Sequence, residues 1–169
     1  MTPDRRREIA SEISVWFSHQ SKDKIPAEMM CEAFIMLPLC KWLAARGYQL
    51  TAEYWNRQVE PYHAYDLRAC RSGEVCLFDL KFYRARSKIR LPAIKRDLKH
   101  LAVVDRSVTS RYFLVCMGRG GFPEGFSIIK FIYDLLDSDD VKAVVVRDGD
   151  AVTSQDGDYT TALFSVRPA

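Results

Sequence analysis

The stretch Asp66-Leu-Arg-Ala-Cys-Arg-Ser-Gly-Glu-Val-Cys-Leu-Phe-Asp-Leu-Lys81 carries the strongest local signal in the chain. Ser72-Gly73 suits a two-residue hairpin loop between two strands, and such a loop fixes which residues face each other. Counting outward from it puts Asp66 directly across from Asp79, on one face. Side chains alternate along a strand, so Lys81 points the same way as Asp79. Cys76, Phe78, Leu80 and Phe82 then form an apolar row on the opposite face.

Two carboxylates facing each other on a central strand repel, and burial adds a desolvation cost, so positive charge is expected between them. Lys81 supplies part of it. Two carboxylates with free lone pairs also suit a hard divalent cation with oxygen ligands, chiefly Mg²⁺. A cross-strand Asp–Lys salt bridge on an exposed face is the other arrangement that the hairpin alone permits.

Upstream, Thr2-Pro3 reads as an N-cap and first helical residue. Ile9, Ile13, Trp16 and Phe17 follow at helical spacing, predicting an amphipathic helix over about residues 3–19. The polar stretch from Gln20 to Lys24 is expected to break it. A more apolar helix runs from Pro26 to about Arg46, stopped by Gly47 and disturbed at Pro38. β-branched and aromatic residues then cluster in three runs, 48–55, 63–71 and 74–83, which predict three strands.

Downstream, Leu91-Pro92 opens a helix ending near Val104, with Leu91, Ile94, Leu98, Leu101 and Ala102 on one stripe. Residues 111–117 suit a buried strand of the same sheet. The remainder predicts a helix over 126–137, a strand over 141–147, an Asp-Gly turn region and a last strand over 159–167.

A chain of 169 residues with 48% apolar side chains is sized for one domain over 1–169 and excludes a disordered tail protein. The net charge of +3 is too mild for a nucleic-acid coat or a polybasic membrane binder. The longest apolar run, Ala33 to Cys40, contains a proline and falls far short of the roughly 20 residues a membrane helix needs. With no hydrophobic stretch behind Arg5-Arg6-Arg7, no secretory signal is predicted and a cytoplasmic location is expected. Five cysteines without a CxxC argue against a disulfide framework or a zinc knuckle.

Glu32 shares a helical stripe with Met36, Leu39 and Leu43, so it is a carboxylate carried on an apolar face. It either snorkels to water near a helix N-terminus or turns towards a cation as a third acidic ligand.

Together these residues resemble the PD-(D/E)XK phosphodiesterase superfamily, the restriction-endonuclease-like nucleases. That family's core runs helix, three strands, helix, strand, and the order here over residues 27–117 is similar. Its motif pairs an acid on the second core strand with (D/E)-X-K on the third, which maps onto Asp66 and onto Asp79-Leu80-Lys81. Glu32 matches the acid often found on the first core helix. The run from Phe78 to Tyr83, followed by basic residues and by Ile94 to Leu101, is similar to small stand-alone members. Two positions depart from the pattern: Tyr65 stands where the family has proline, and Asp79 where glutamate is more usual.

The resemblance implies an α/β fold, with a mixed central sheet flanked by helices, an N-terminal helix over 1–20 and a C-terminal α/β extension over 122–169. It implies a metal-dependent nuclease that hydrolyses phosphodiester bonds in DNA, or secondarily RNA. Asp66, Asp79 and the Leu80 carbonyl would hold one or two Mg²⁺ ions, for which Mn²⁺ can substitute, with Glu32 bound directly or through water. Lys81 would position the attacking water or help deprotonate it, and stabilise the negative transition state. A non-catalytic nucleic-acid-binding or protein-interaction module on the same fold is the alternative.

Charge distribution favours a polyanionic substrate. Residues 81–100 hold eight Lys/Arg, among them Arg84, Arg86, Lys88, Lys95 and Lys99, against the single acid Asp97. Tyr83 interleaves with these and is a candidate for stacking on a base, while Lys95 and Lys99 are candidates for phosphate contacts or a plain solvated helix face. Residues 131–169 hold eight acids and three Lys/Arg, so a protein partner or a second copy is expected there instead. His19, His63 and His100 lack metal-ligand spacing and receive no role.

Overall fold

A computed structural model of the chain describes residues 1–22, 31–55, 64–83, 91–104, 107–118 and 151–168. Three helices, α1 (Pro3–Lys22), α2 (Glu32–Ala44) and α3 (Leu91–Val103), accompany six strands. These are β1 (Gln49–Trp55), β2 (Ala64–Arg71), β3 (Glu74–Tyr83), β4 (Ser110–Met117), β5 (Ala151–Asp156) and β6 (Tyr159–Val166).

α1 starts where Thr2 accepts the Arg6 N–H and offers its hydroxyl to the Arg5 N–H at 3.4 Å. It buries Ile9, Ile13 and Phe17 and continues through Gln20 and Ser21, which the sequence had suggested would break it. Neither residue is a strong helix breaker, and packing of the apolar stripe decides the length. α2 keeps Pro38 buried within it, and the chain turns at Gly47, whose φ of 79° suits glycine.

The strands form one mixed sheet in the order β1-β2-β3-β4-β6-β5. β3 and β4 are parallel, joined through α3, and every other pairing is antiparallel. One face carries Cys76, Phe78, Leu80, Leu114, Cys116 and Leu163 and is covered by α1 and α2; the other carries Leu77, Phe113, Val115 and Phe164 and is covered by α3. Strands buried on both faces explain the unbroken apolar runs in β3 and β4.

The C-terminal residues join this same sheet. β6 pairs with β4, and β5 pairs with β6 around the turn at Gly157-Asp158. β5 departs from the sequence expectation, which placed only turn residues there. Ala151-Val-Thr-Ser-Gln-Asp156 is too polar to announce a strand, but at the sheet edge it lies over α1, where Ser14 donates to the Ser154 carbonyl at 3.0 Å. The helix expected over 126–137 and the strand over 141–147 lie outside the described residues. Among the described residues no helix is long and apolar enough to cross a membrane.

The hairpin turns at Ser72 and Gly73, both with positive φ (46° and 82°), the combination a type I′ turn requires. Its register is the one counted from the turn, from Arg71↔Glu74 to Leu67↔Phe78. There the regular pairing of β2 with β3 ends, one step before Asp66 and Asp79. On the other side of β2, pairing with β1 skips Glu53, which lies opposite Asp66 and has a φ of 48°.

This row marks a bend in the sheet. Leu67 packs towards α1 and α2 whereas Tyr65, two residues earlier, packs towards α3, and Leu50 and Tyr54 divide in the same way. In an unbroken strand residues two apart share a face, so the left-handed backbone at Glu53 and the end of pairing at Leu67 re-aim the Asp66 side chain.

Candidate functional site

The bend delivers Asp66 to the middle of β3. Its Oδ2 accepts the Leu80 backbone N–H at 2.6 Å, and its carboxyl lies beside that of Asp79. Burial raises the Asp66 pKa, the neighbouring Asp79 charge raises it further, and the Leu80 N–H offsets only part of this, leaving it pushed up to about 7. Asp79 itself is buried at 2% exposure.

Lys81, on the same face of β3 as Asp79, ties the group together. Its Nζ donates to the Leu80 carbonyl at 3.0 Å and lies 3.4 Å from Asp79 Oδ1, 3.2 Å from Asp97 Oδ2 and 3.9 Å from Glu32 Oε1. Burial works against its charge, but Asp79, Asp97, Glu32 and Asp66 more than offset this and hold the pKa above the usual lysine range. The surrounding carboxyls therefore favour the charged ammonium over the neutral amine.

Glu32 enters from the other side of the sheet as the first residue of α2, with about half of its side chain exposed (47%). Partial burial raises its pKa; the Lys81 ammonium and a hydrogen bond from the Phe82 N–H pull the other way without cancelling that effect. The buried stripe of α2 consists of Ile35, Pro38, Leu39, Trp42 and Leu43, so Glu32 sits at the open end of an apolar helix rather than under it.

Asp97 is the member that sequence reasoning missed. Within the basic run it read as the one interrupting acid, yet it is 2% exposed, held between Lys81 Nζ and Arg96 Nε at 3.3 Å. The signal was present: Asp97 lies three residues after Ile94 and four before Leu101, on the buried stripe of α3. Tyr65, which stands where the resembled family has proline, is fully buried and donates its hydroxyl to the His100 carbonyl at 3.0 Å, pinning β2 to α3.

Tyr83 borders the same cluster. It is half-buried against the α3 side of the core, and burial, reinforced by Glu32 and Asp97 and relieved in part by Lys81, pushes its hydroxyl up to about 12. It is packed rather than presented as an open stacking surface. Lys99 is exposed and lies about 200° around α3 from Asp97, so it does not face the carboxyl cluster. Lys95, half-buried, occupies the equivalent angle one turn earlier. Arg84, Arg86 and Lys88 lie outside the described residues, as does His63.

The structure thus brings Glu32, Asp66, Asp79, Leu80 and Lys81 together and adds Asp97. Four carboxyl groups surround the Lys81 ammonium, with Arg96 on the far side of Asp97, a formal charge of −2 when all are ionised. The donor set is all oxygen and anionic, the chemistry a hard divalent cation takes. As placed, no three His, Cys, Asp or Glu side chains among the described residues converge on a single ion position, and the Lys81 ammonium itself lies against the Leu80 and Asp79 oxygens. No protein-family model, curated protein or solved structure matches the chain.

Proposed function

We propose that this chain is a metal-dependent nuclease with a restriction-endonuclease-like core, hydrolysing phosphodiester bonds in DNA, with RNA as the secondary substrate. The observation that carries this reading is the charge imbalance at β3, four carboxyls around the Lys81 ammonium with only Arg96 besides, on the outer side of Asp97. Such an excess is costly unless protons or a cation offset it. The order α2-β1-β2-β3-α3-β4 agrees with the core order of the superfamily the sequence resembles.

Asp79, Asp66 and the Leu80 carbonyl would hold Mg²⁺ or Mn²⁺, with Glu32 completing the set from α2. The bound ion would supply Lewis-acid neutralisation of the phosphate and an acidified water. Lys81 contributes a fixed positive charge beside the reacting phosphate, stabilising the extra negative charge of the transition state and orienting the attacking water. The carboxyls around Lys81 favour its charged form, which suits this electrostatic role. The basic stretch after β3 would supply phosphate contacts that position the substrate without reading its sequence.

The test is cleavage of supercoiled, linear and single-stranded DNA and of RNA, with Mg²⁺ and Mn²⁺. The wild type is expected to cut at least one form. Lys81→Ala is expected to lose about 100-fold or more of that activity while retaining binding. Absence of cleavage of every form, or activity indifferent to Lys81→Ala, contradicts the proposal.

One observation favours a second reading, a non-catalytic binding module. The Lys81 ammonium already contacts Leu80 O and Asp79 Oδ1, so it can serve as a permanent counter-charge within a structural ion-pair network. In that case Lys81→Ala lowers stability and leaves nucleic-acid binding as the sole activity.

A further inference from the structure

The Lys81 ammonium and a divalent ion would be drawn to the same oxygens. Nζ lies 3.0 Å from Leu80 O, 3.4 Å from Asp79 Oδ1 and 3.9 Å from Glu32 Oε1, and these are three of the groups assigned above to the metal. Two cations on one set of donors repel strongly in a partly buried site. Binding of the ion therefore needs somewhere for the ammonium to stay charged and close by.

Asp97 meets that need. It comes from α3, on the opposite side of the sheet from α2, and stands outside the expected donor set. Its Oδ2 is 3.2 Å from Nζ, while Arg96 Nε at 3.3 Å fixes Oδ1, so the carboxylate presents one oxygen to Lys81. It is 2% exposed, and Ile94, Leu98 and Leu101 anchor its helix in the core. Such a group is an immobile partner for the ammonium, unlike Glu32, which is half exposed at the end of α2.

We propose that Asp97 is a positioning residue that retains the Lys81 ammonium when a divalent cation takes the Leu80 and Asp79 oxygens, so that metal and lysine occupy adjacent places instead of competing for one. The inference rests on the metal site proposed above and concerns how that site admits its ion. Asp97→Asn keeps the shape but removes the charge. The ammonium then depends on Asp79, Leu80 O and the more distant, half-exposed Glu32, and opposes the ion more strongly.

The test is Mn²⁺ affinity by titration calorimetry for the wild type, Asp97→Asn, Lys81→Met and the double variant, each first shown to be folded by circular dichroism. Asp97→Asn is expected to weaken Mn²⁺ binding by about tenfold, within the range of coupling between charged groups in contact. Lys81→Met is expected to tighten it. In the Lys81→Met background Asp97→Asn is expected to change affinity by less than about threefold, because Asp97 acts through the ammonium. An equal loss in both backgrounds means that Asp97 acts through its own charge and overturns the inference, as does no loss in either. A wild type that binds no Mn²⁺ overturns the metal site itself, a separate outcome.

Should a variant fail to fold, the wild type alone decides. With lysine-selective ¹⁵N labelling and diamagnetic Mg²⁺, the Lys81 ammonium signal is expected to shift while staying protected from solvent exchange. Its merging into the fast-exchanging pool of exposed lysines overturns the proposal.

Discussion

Asp66 Oδ2 accepts the Leu80 N–H at 2.6 Å, at the point where regular pairing of β2 with β3 has ended at Leu67↔Phe78. A side chain thus takes over from the backbone ladder, and the strands part just enough to bring a second carboxyl to Asp79. The opposite neighbour of Asp66 on β1, Glu53, carries the left-handed φ that accompanies this bend. Backbone irregularity and the acidic cluster therefore coincide in one row of the sheet.

Charging Asp66 should cost stability. Its pKa is pushed up to about 7 from an ordinary 3.8, first by burial and then by Asp79, so the folded state binds an extra proton between those values. Stability contributed by that proton is present at low pH and is lost as pH rises through about 7. Asp66→Asn keeps an acceptor for the Leu80 N–H and removes the charge. Without metal it is expected to be more stable than the wild type by about 0.5–2 kcal/mol at pH 8, with the difference vanishing by about pH 4. Urea denaturation at the two pH values checks this, and a less stable variant at pH 8 contradicts it.

The same proton competes with a metal ion for Asp66. The rise in melting temperature produced by Mn²⁺ is expected to be largest above pH 7 and to shrink as the pH falls below it. A rise independent of pH between 5 and 8 would indicate an ion held elsewhere.

The turn that sets the register can be tuned. Ser72 pays for a φ of 46°, which asparagine tolerates better, so Ser72→Asn is expected to add about 0.5–1 kcal/mol. At Gly73 a Cβ would meet nothing within 4 Å, so the cost of Gly73→Ala is conformational alone, about 1–2 kcal/mol for its φ of 82°. Denaturant midpoints with unchanged slopes are the check. A destabilising Ser72→Asn or a stabilising Gly73→Ala would mean that the loop is not the I′ turn described.

Lys99 is exposed and turned away from the carboxyl cluster. Lys99→Ala is expected to leave Mn²⁺ affinity unchanged and, where α3 borders the bound nucleic acid, to reduce the slope of log affinity against log salt by about one. An unchanged slope removes this face of α3 from the interface.

The hairpin was legible because Ser72-Gly73 determines its register by turn geometry alone, and the strands around it because their apolar runs are buried on both faces. β5 was not, since an edge strand over a helix tolerates the polar residues that otherwise announce a turn. Asp97 escaped notice for a different reason. Its meaning depends on Lys81, sixteen residues away, folding towards α3, and a lone acid in a basic run otherwise reads as solvated charge. The bend at Glu53 and Asp66 had no sequence signal either, because glutamate does not favour the left-handed backbone that Glu53 adopts.

Anomalous diffraction from a crystal soaked in Mn²⁺ tests the central claim most directly, because it locates the ion rather than its effects. The account predicts a peak bonded to Asp79 and the Leu80 carbonyl oxygen, at about 2.0–2.3 Å, with Asp66 in its coordination sphere and the Lys81 ammonium moved onto Asp97. A site with no peak, and Lys81 still resting on Leu80 O and Asp79, would contradict it.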